Sequence, residues 1–295
     1  MNKVAIITRT KDRSLFLRRA IKSVHEQTFP EYVHVIVNDG GNKEAIEELL
    51  EEFDQSVCKN IQVFHRDSSS GAPDTIFNES IDRVDSQYFA LHDDDDVWHP
   101  DFLKCTVEYL DDYTELGAVV VRTDRVDEEV VDTGTLKELK RSRWMPDMKV
   151  IDLYRQCIDN QLTPIATLYR RDAYKKVGKF DASLPVVGDW EFGVRLLQHY
   201  AVDFLDPGYA LASYYHRKYV EGASSSTSFG SGTEKHRYYV NRVMNAYLRQ
   251  ELAEGRLGVG YIMSQLKYDQ GQMARLAQSV MPRFVSDKLK NRFRK

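Results

Sequence analysis

The stretch YFALHDDDDVWHP, residues 88 to 100, sets four aspartates in a row, Asp93 to Asp96, directly behind an apolar run. Carboxylates at adjacent positions repel one another and call for a positive species to hold them. If the run continues the strand before it, side chains alternate between faces, so Asp93 and Asp95 share one side and Asp94 and Asp96 the other. Two carboxylates on one side of a strand end form a two-point site for Mg²⁺ or Mn²⁺, cations that take oxygen ligands and share their shell with substrate phosphates. A calcium loop counted from Asp93 would need glycine and glutamate where Trp98 and Lys104 stand, which excludes it. The plainer alternative is a solvated acidic turn in which Asp96 caps the helix that Pro100 opens.

A second acidic candidate lies in LPVVGDWEFGVRLL, residues 184 to 197. Asp189 falls at the start of a helix, where a carboxylate is a natural first-turn residue. Read as chemistry, the same group is a general base, which must come within hydrogen-bond reach of the hydroxyl it deprotonates. Three more polar groups stand out: TRTKDR after the first apolar run, NDGG after the second and RDSSSG after the third. In them Arg9 and Arg66 could meet a base, a ribose or phosphates, and Asp39 with its glycines could bring a carboxylate and backbone amides to a ligand. Taken singly, each is equally well a turn or surface charge.

The elements that must position these groups follow from periodicity. Residues 4–8, 33–39, 61–65 and 88–93 read as buried strands, and 14–27, 43–53 and 75–84 as helices, the first capped by Ser14. Pro100 opens a further helix to about Tyr109. Such alternation predicts an α/β chain with a mostly parallel sheet flanked by helices, and every polar group named above except Asp189 falls at the carboxyl end of a strand. Beyond this, 116–123 reads as a strand, 124–149 as a charged excursion, 189–200 as a helix, 222–232 as a small polar loop and 234 onward as helical.

Composition sets wide bounds. The 295 residues are 42% hydrophobic and 29% charged with formal net charge −4, which gives no reason to expect a nucleic-acid partner. The three cysteines, Cys58, Cys105 and Cys157, are too scattered for a metal site or a disulfide framework, so the expected compartment is a reducing cytoplasm. The apolar part of MNKVAIITRT is too short for a signal peptide or membrane span.

With these pieces together, the chain resembles the family 2 glycosyltransferases of the GT-A fold, from residue 3 to about 227. VAIITRTKDR resembles the family's opening strand and nucleotide loop, which implicates Thr8, Arg9 and Thr10. VIVNDGG resembles the segment whose aspartate binds the nucleobase, here Asp39. SSSGAPDTIFNESI is similar to the Gly-rich stretch before the family's buried helix. FALHDDDDVWHPDFL matches the region of the DxD motif, mapping the metal ligand onto Asp95 and the nucleotide-contacting partner, also a metal candidate, onto Asp93, with Asp94 beside them. TLYRRDAYKKVGKFDASLPVVGDWEFGVRLLQHY resembles the acceptor-side segment. It implies Asp189 as catalytic base with Trp190 and Arg195 in support, while Gly188 stands where an acidic residue is usual. YYHRKYVEGASSS resembles a late element whose histidine helps hold metal and diphosphate, here His216.

The resemblance implies a nucleotide-binding half over 1–100, an acceptor-side half over 101–232 and a helical extension over 233–295. It also implies an inverting transfer from a nucleotide-diphosphate sugar, a UDP-sugar favoured, with Mn²⁺ or Mg²⁺, to a glycan or lipid-linked acceptor. The signature of processive synthases is missing, which favours limited sugar addition. A nucleotidyltransferase and a non-catalytic carbohydrate- or nucleotide-binding module stay open as alternatives. The tail MPRFVSDKLKNRFRK carries six basic residues and one acidic one, with Val285, Leu289 and Phe293 at helical spacing. It suits either peripheral contact with an anionic membrane at the inner face of the cell or packing against protein. Nothing in the sequence decides the oligomeric state.

Overall fold

The computed structural model describes residues 2–132, 135–217 and 232–280. The polar stretch 222–231 and the basic tail 281–295 therefore lie outside the described residues. The chain divides into two compact units, residues 1–156 with 160–239 and residues 157–159 with 240–295.

In the first unit, strands β1 (Asn2–Thr10), β2 (Tyr32–Asn38), β3 (Ile61–His65) and β4 (Ser86–Leu91) alternate with helices α1 (Ser14–His25), α2 (Glu44–Glu51), the single turn α3 (Gln55–Cys58) and α4 (Pro73–Arg83). Residues 4–8 of β1 and all of β2 are buried, as expected of strands covered on both faces by helices. The registers Thr10↔Asn38, Asn38↔His65 and Ile7↔Leu91 bring the carboxyl ends of these four strands to one rim. Helix α1 starts without a side-chain cap, so Ser14 does not play the role expected of it; the Arg13 carbonyl takes the Phe16 and Leu17 amides.

Strand β5 (Val97–Trp98), helix α5 (Phe102–Asp112), β6 (Ala118–Val121), β7 (Thr123–Asp132), β8 (Thr135–Arg143), the turn α6 (Leu153–Gln156), β9 (Thr167–Arg170), α7 (Arg171–Val177), α8 (Gly188–Leu197), β10 (Val202–Leu205) and β11 (Ala212–His216) complete the unit, which also takes the start of α9 (Gly232–Ala253). Among the described residues the main sheet runs β10-β6-β9-β4-β1-β2-β3, antiparallel only around β9. A second sheet runs β5-β11-β7-β8. The expected excursion after residue 124 is thus a paired ribbon, β7 with β8, stepping through two register shifts. Its period-2 pattern is obscured because β8 is largely exposed and charged on both faces.

The expected fourth strand was drawn too long. β4 stops at Leu91, and Asp93–Asp96 form a tight turn closed by the Asp96 amide on the Asp93 carbonyl at 3.2 Å. In a turn the side chains do not alternate between faces, so Asp93 and Asp95 are not set on one side by strand geometry. Beneath this turn, Trp98 stacks on Phe102 with centroids 4.1 Å apart, meets His92 edge-on and donates its indole N–H to the Ile165 carbonyl at 2.7 Å.

The second unit holds the rest of α9 and the helix α10 (Val259–Val280). Glu251 caps α10: its carboxylate accepts the Gly260 and Tyr261 amides at 2.8 and 3.1 Å, where the helix dipole favours negative charge. A Cβ on Gly260 would come within 2.4 Å of the Leu248 amide nitrogen, so the two helices cross with no room for a side chain.

Candidate active site

The rim of the main sheet gathers most of the expected residues. Asp39, at the end of β2, is buried, and its oxygens accept the Ser70 amide at 2.7 Å and the Ser69 and Ser70 hydroxyls at 3.0 and 3.2 Å. Arg9 and Arg66 each approach it to 3.6 Å, Arg66 pairing more closely with Glu79. Gly40 permits this closure: it has φ +77°, and a Cβ there would sit 2.6 Å from the Ser68 backbone. Thr10 turns toward the Asp94 carboxyl. Thr8 is not brought to the rim: it is buried in the sheet, 2.9 Å from His34 Nε2.

Positive charge meets the four aspartates from far away in sequence. Arg13 reaches Asp94 and Asp95 at 2.7 Å each. Arg217, only 1% exposed, binds the same Asp95 oxygen, Oδ2, and also Glu128 of β7. Arg19 pairs with Glu128 at 2.6 Å and donates to the Asp95 carbonyl, its guanidinium 3.8 Å over the Tyr215 ring. Asp96 is fully buried and accepts the Tyr215 amide at 2.7 Å, so it ties the turn to β11 and caps no helix. Arg13, Arg19, Arg217 and Glu128 escape sequence reasoning because their partners lie 76 to 122 positions away. The one available signal, that four carboxylates require cations, does not say which.

These contacts set the four acids apart. Burial pushes all of them upward. At Asp95 the Arg13 and Arg217 guanidinium groups more than offset burial and hold the carboxyl below its usual range. At Asp94 burial outweighs the help of Arg13, Thr10 and Arg9, and the carboxyl rises to about 6. Asp93 is raised to about 7 by burial and then by Asp95. Asp96 is raised well above the usual carboxylate range, by burial and then by Asp95 and Asp93.

The expected cation set of Asp95, Asp93 and His216 is not assembled as three ligands: among the described residues no group of three His, Cys, Asp or Glu side chains is arranged to hold a metal ion. His216 is buried, its ring packed against Tyr214 and Trp144 at 4.1 and 6.0 Å, and burial, then Arg125, lowers it to about 4. Two carboxylates nevertheless fit a divalent ion. Among the described residues the Asp93 carboxyl enters no hydrogen bond or ion pair and is raised by burial and then by Asp95, and both arginines engage a single oxygen of Asp95. One or two carboxylates completed by substrate phosphates are the usual protein share of such a site.

Across the rim stands Asp189, in the first turn of α8. Val187, just before the helix, has φ +64°, a strained conformation for a β-branched residue. Asp189 accepts the Asn160 amide at 2.7 Å, and Asn160 is itself oriented because its oxygen accepts from Gln156 Nε2 and the Leu162 amide. Burial raises the Asp189 carboxyl, and its charge is felt at Asp93, so two signatures 96 positions apart share one electrostatic site. Trp190 and Arg195 hold the helix from behind. The Trp190 indole donates to the Gln156 carbonyl at 2.7 Å, and Arg195 binds Glu191 and the Val177 and Lys179 carbonyls. A residue outside the expected set, Asp74 of α4, fills the space above Gly188: a Cβ there would lie 1.6 Å from its Oδ2.

The geometry agrees with comparison to known proteins. The family model described as Glycosyl transferase family 2 matches residues 5–178. An uncharacterized glycosyltransferase of Methanocaldococcus jannaschii is 23% identical over 193 residues, 65% of this chain and 63% of its own length, so the chain spans a little under two thirds of that relative. The fold is similar to that of Staphylococcus aureus TarS residues 1–349 in complex with UDP-GlcNAc, with TM-score 0.62, 18% identity and coverage of 82% of this chain and 66% of the other. It is also similar to that of the mannosyltransferase PcManGT of Pyrobaculum calidifontis in complex with GDP-Man and Mn²⁺, with TM-score 0.60, 11% identity and coverage of 98% and 79%. The parallel rim with its aspartate turn, the GT-A architecture and the match over more than half of its residues establish that the chain belongs to glycosyl transferase family 2.

Proposed function

We propose that the protein transfers a sugar from a nucleotide-diphosphate donor, a UDP-sugar in the first instance, to a hydroxyl of a glycan or lipid-linked acceptor, inverting the anomeric centre. The observation that carries this reading is the shared site of Asp93–Asp96 and Asp189, one end rich in clamped carboxylates and the other a base held by a neutral amide. The nucleotide sugars in the two solved relatives support the donor class.

Residues 1–100 carry the donor half in this reading, and 101–232 the acceptor half. Asp39, Arg9 and Arg66 line the place for the nucleoside, and Asp93 and Asp95 would hold Mn²⁺ or Mg²⁺. Bound there, the ion supplies Lewis-acid stabilisation of the charge that develops on the leaving diphosphate. Asp189, held by Asn160 and kept basic by burial, takes the proton of the acceptor hydroxyl as its oxygen bonds to the anomeric carbon. The bond from that carbon to the diphosphate oxygen breaks on the opposite face, its electron pair leaving with the diphosphate. A single displacement of this kind inverts the centre.

The basic tail 281–295 is proposed to meet an anionic membrane where lipid-linked acceptors lie. Among the described residues no helix is long and apolar enough to cross a membrane. Equal liposome recovery of full-length and tail-truncated protein would sink that part alone. The main reading is tested by thermal shift with UDP, GDP, dTDP and CMP and their sugar conjugates, with and without Mn²⁺, on wild type and Asp95→Ala. A ligand at about 100 times its Kd adds roughly 2.7 kcal/mol, a readable shift. One nucleotide should stabilise wild type in a metal-dependent way and the variant little. Absence of any shift overturns the donor assignment.

A further inference from the structure

Gly188 is a glycine for want of space. Its φ lies outside the left-handed region, so its backbone tolerates a side chain, but a Cβ would fall 1.6 Å from Asp74 Oδ2 and 2.6 Å from Asp74 Cγ. The Asp74 carboxyl thus occupies the position that a side chain at 188 would take, next in the chain to Asp189. Asp74 is 5% exposed, and among the described residues its carboxyl enters no hydrogen bond or ion pair. It belongs to the first turn of α4, and Asp189 to the first turn of α8, so two helix N-termini, each carrying a carboxyl, converge. An unpartnered acid at this depth is costly as a purely structural feature.

We propose that Asp74 is the partner carboxyl of Asp189, delivered from a different helix, and that the pair is active with one proton between them, Asp189 ionised and Asp74 as the acid. This rests on the reading of Asp189 as the base. The groups facing Asp74 agree with it. Burial, then Asp189 and Glu191 of α8 and Asp181 of the preceding loop, push it up to about 8, opposed by Arg9 of β1. Asp189 itself faces Asn160 and His236, which favour its charged form. Two acids whose charges act on each other cannot both ionise readily, so the second proton leaves only when the solution turns alkaline. Asp74 is a positioning residue in this scheme: it keeps a second negative charge away from the base and from the incoming diphosphate.

The experiment uses the full chain in two arms. In the first, protein labelled with ¹³C at aspartate carboxyls is titrated as wild type, Asp74→Asn and Asp189→Asn, with thermal melts to verify folding. The Asp74 midpoint should fall by at least one pH unit in Asp189→Asn; an unchanged midpoint overturns the pairing. The second arm follows nucleotide release from UDP-GlcNAc and GDP-Man between pH 7 and 9. The ratio of the rate at pH 9 to that at pH 7 should be about tenfold higher in Asp74→Asn than in wild type, because only wild type ionises at this position. Superimposable profiles overturn the role. Asp74→Gly with Gly188→Asp, which moves the carboxyl onto α8, should recover activity that Asp74→Gly alone loses, and failure to do so counts against the pair. Near-normal turnover by Asp189→Asn would remove the base reading while leaving the measured coupling intact, so the two failures are distinguishable.

Discussion

The aspartate turn and the start of α8 face the same rim but handle the same side chain in opposite ways. At the turn, Asp95 is clamped by two guanidinium groups and held below the usual carboxylate range. At α8, Asp189 meets a neutral amide, and burial raises it. A guanidinium cannot give up its charge and so fixes its partner as an anion, which suits a group meant to hold cations or phosphates. An amide orients a carboxylate without neutralising it, which leaves the carboxylate able to accept a proton. The partner, more than the acid, therefore decides the chemistry.

Removing the base is the strongest way to break this contrast. Asp189→Asn should lower kcat by roughly 10² to 10⁴ with nucleotide affinity retained, measured by donor turnover and by binding of the nucleotide. Next in size is the clamp. Glu128→Ala removes the carboxylate that Arg19 and Arg217 share and should destabilise the protein by about 3–5 kcal/mol in denaturant melts, since breaking a buried ion pair by removing one partner is costly. Loss below 1 kcal/mol would mean that the clamp is incidental to the turn.

A smaller effect is expected where backbone, not charge, shapes the donor side. Gly40→Ala forces a side chain at φ +77° against the Ser68 backbone and should cost about 1–3 kcal/mol, with loosened nucleotide binding. A different kind of effect is a tilt in stability with pH. An acid raised from 3.8 to about 8 keeps its proton in the folded state, so its contribution is complete below pH 4 and is lost as pH rises toward 8. Asp74→Asn should therefore gain in Tm relative to wild type steadily across that window. A constant difference would show that Asp74 does not titrate as placed.

Much of the donor side was legible in the residues. Apolar runs at 4–8, 33–39 and 61–65 with helical patterns between them allow only a parallel sheet, and that arrangement forces Arg9, Asp39 and Arg66 to one rim. Structure departs from sequence pattern where local periodicity and tertiary pairing part company. The run 88–93 looked like a strand through Asp93, yet pairing ends at Leu91 because the next residues turn to meet Arg13 and β11. The stretch 124–149 looked patternless because β8 buries almost nothing.

The sequence by itself determined the fold class, the family and the places where carboxylates gather, because periodicity, turn residues and motif spacing are local properties of the chain. Only the tertiary structure decided what each carboxylate meets. That Arg217 and Glu128 close the clamp, that Thr8 faces the core and that Asp74 takes the space above Gly188 all depend on contacts between residues 26 to 122 positions apart. The protonation of a buried acid is set by such neighbours and by the depth of burial they create, neither of which is written into its flanking residues.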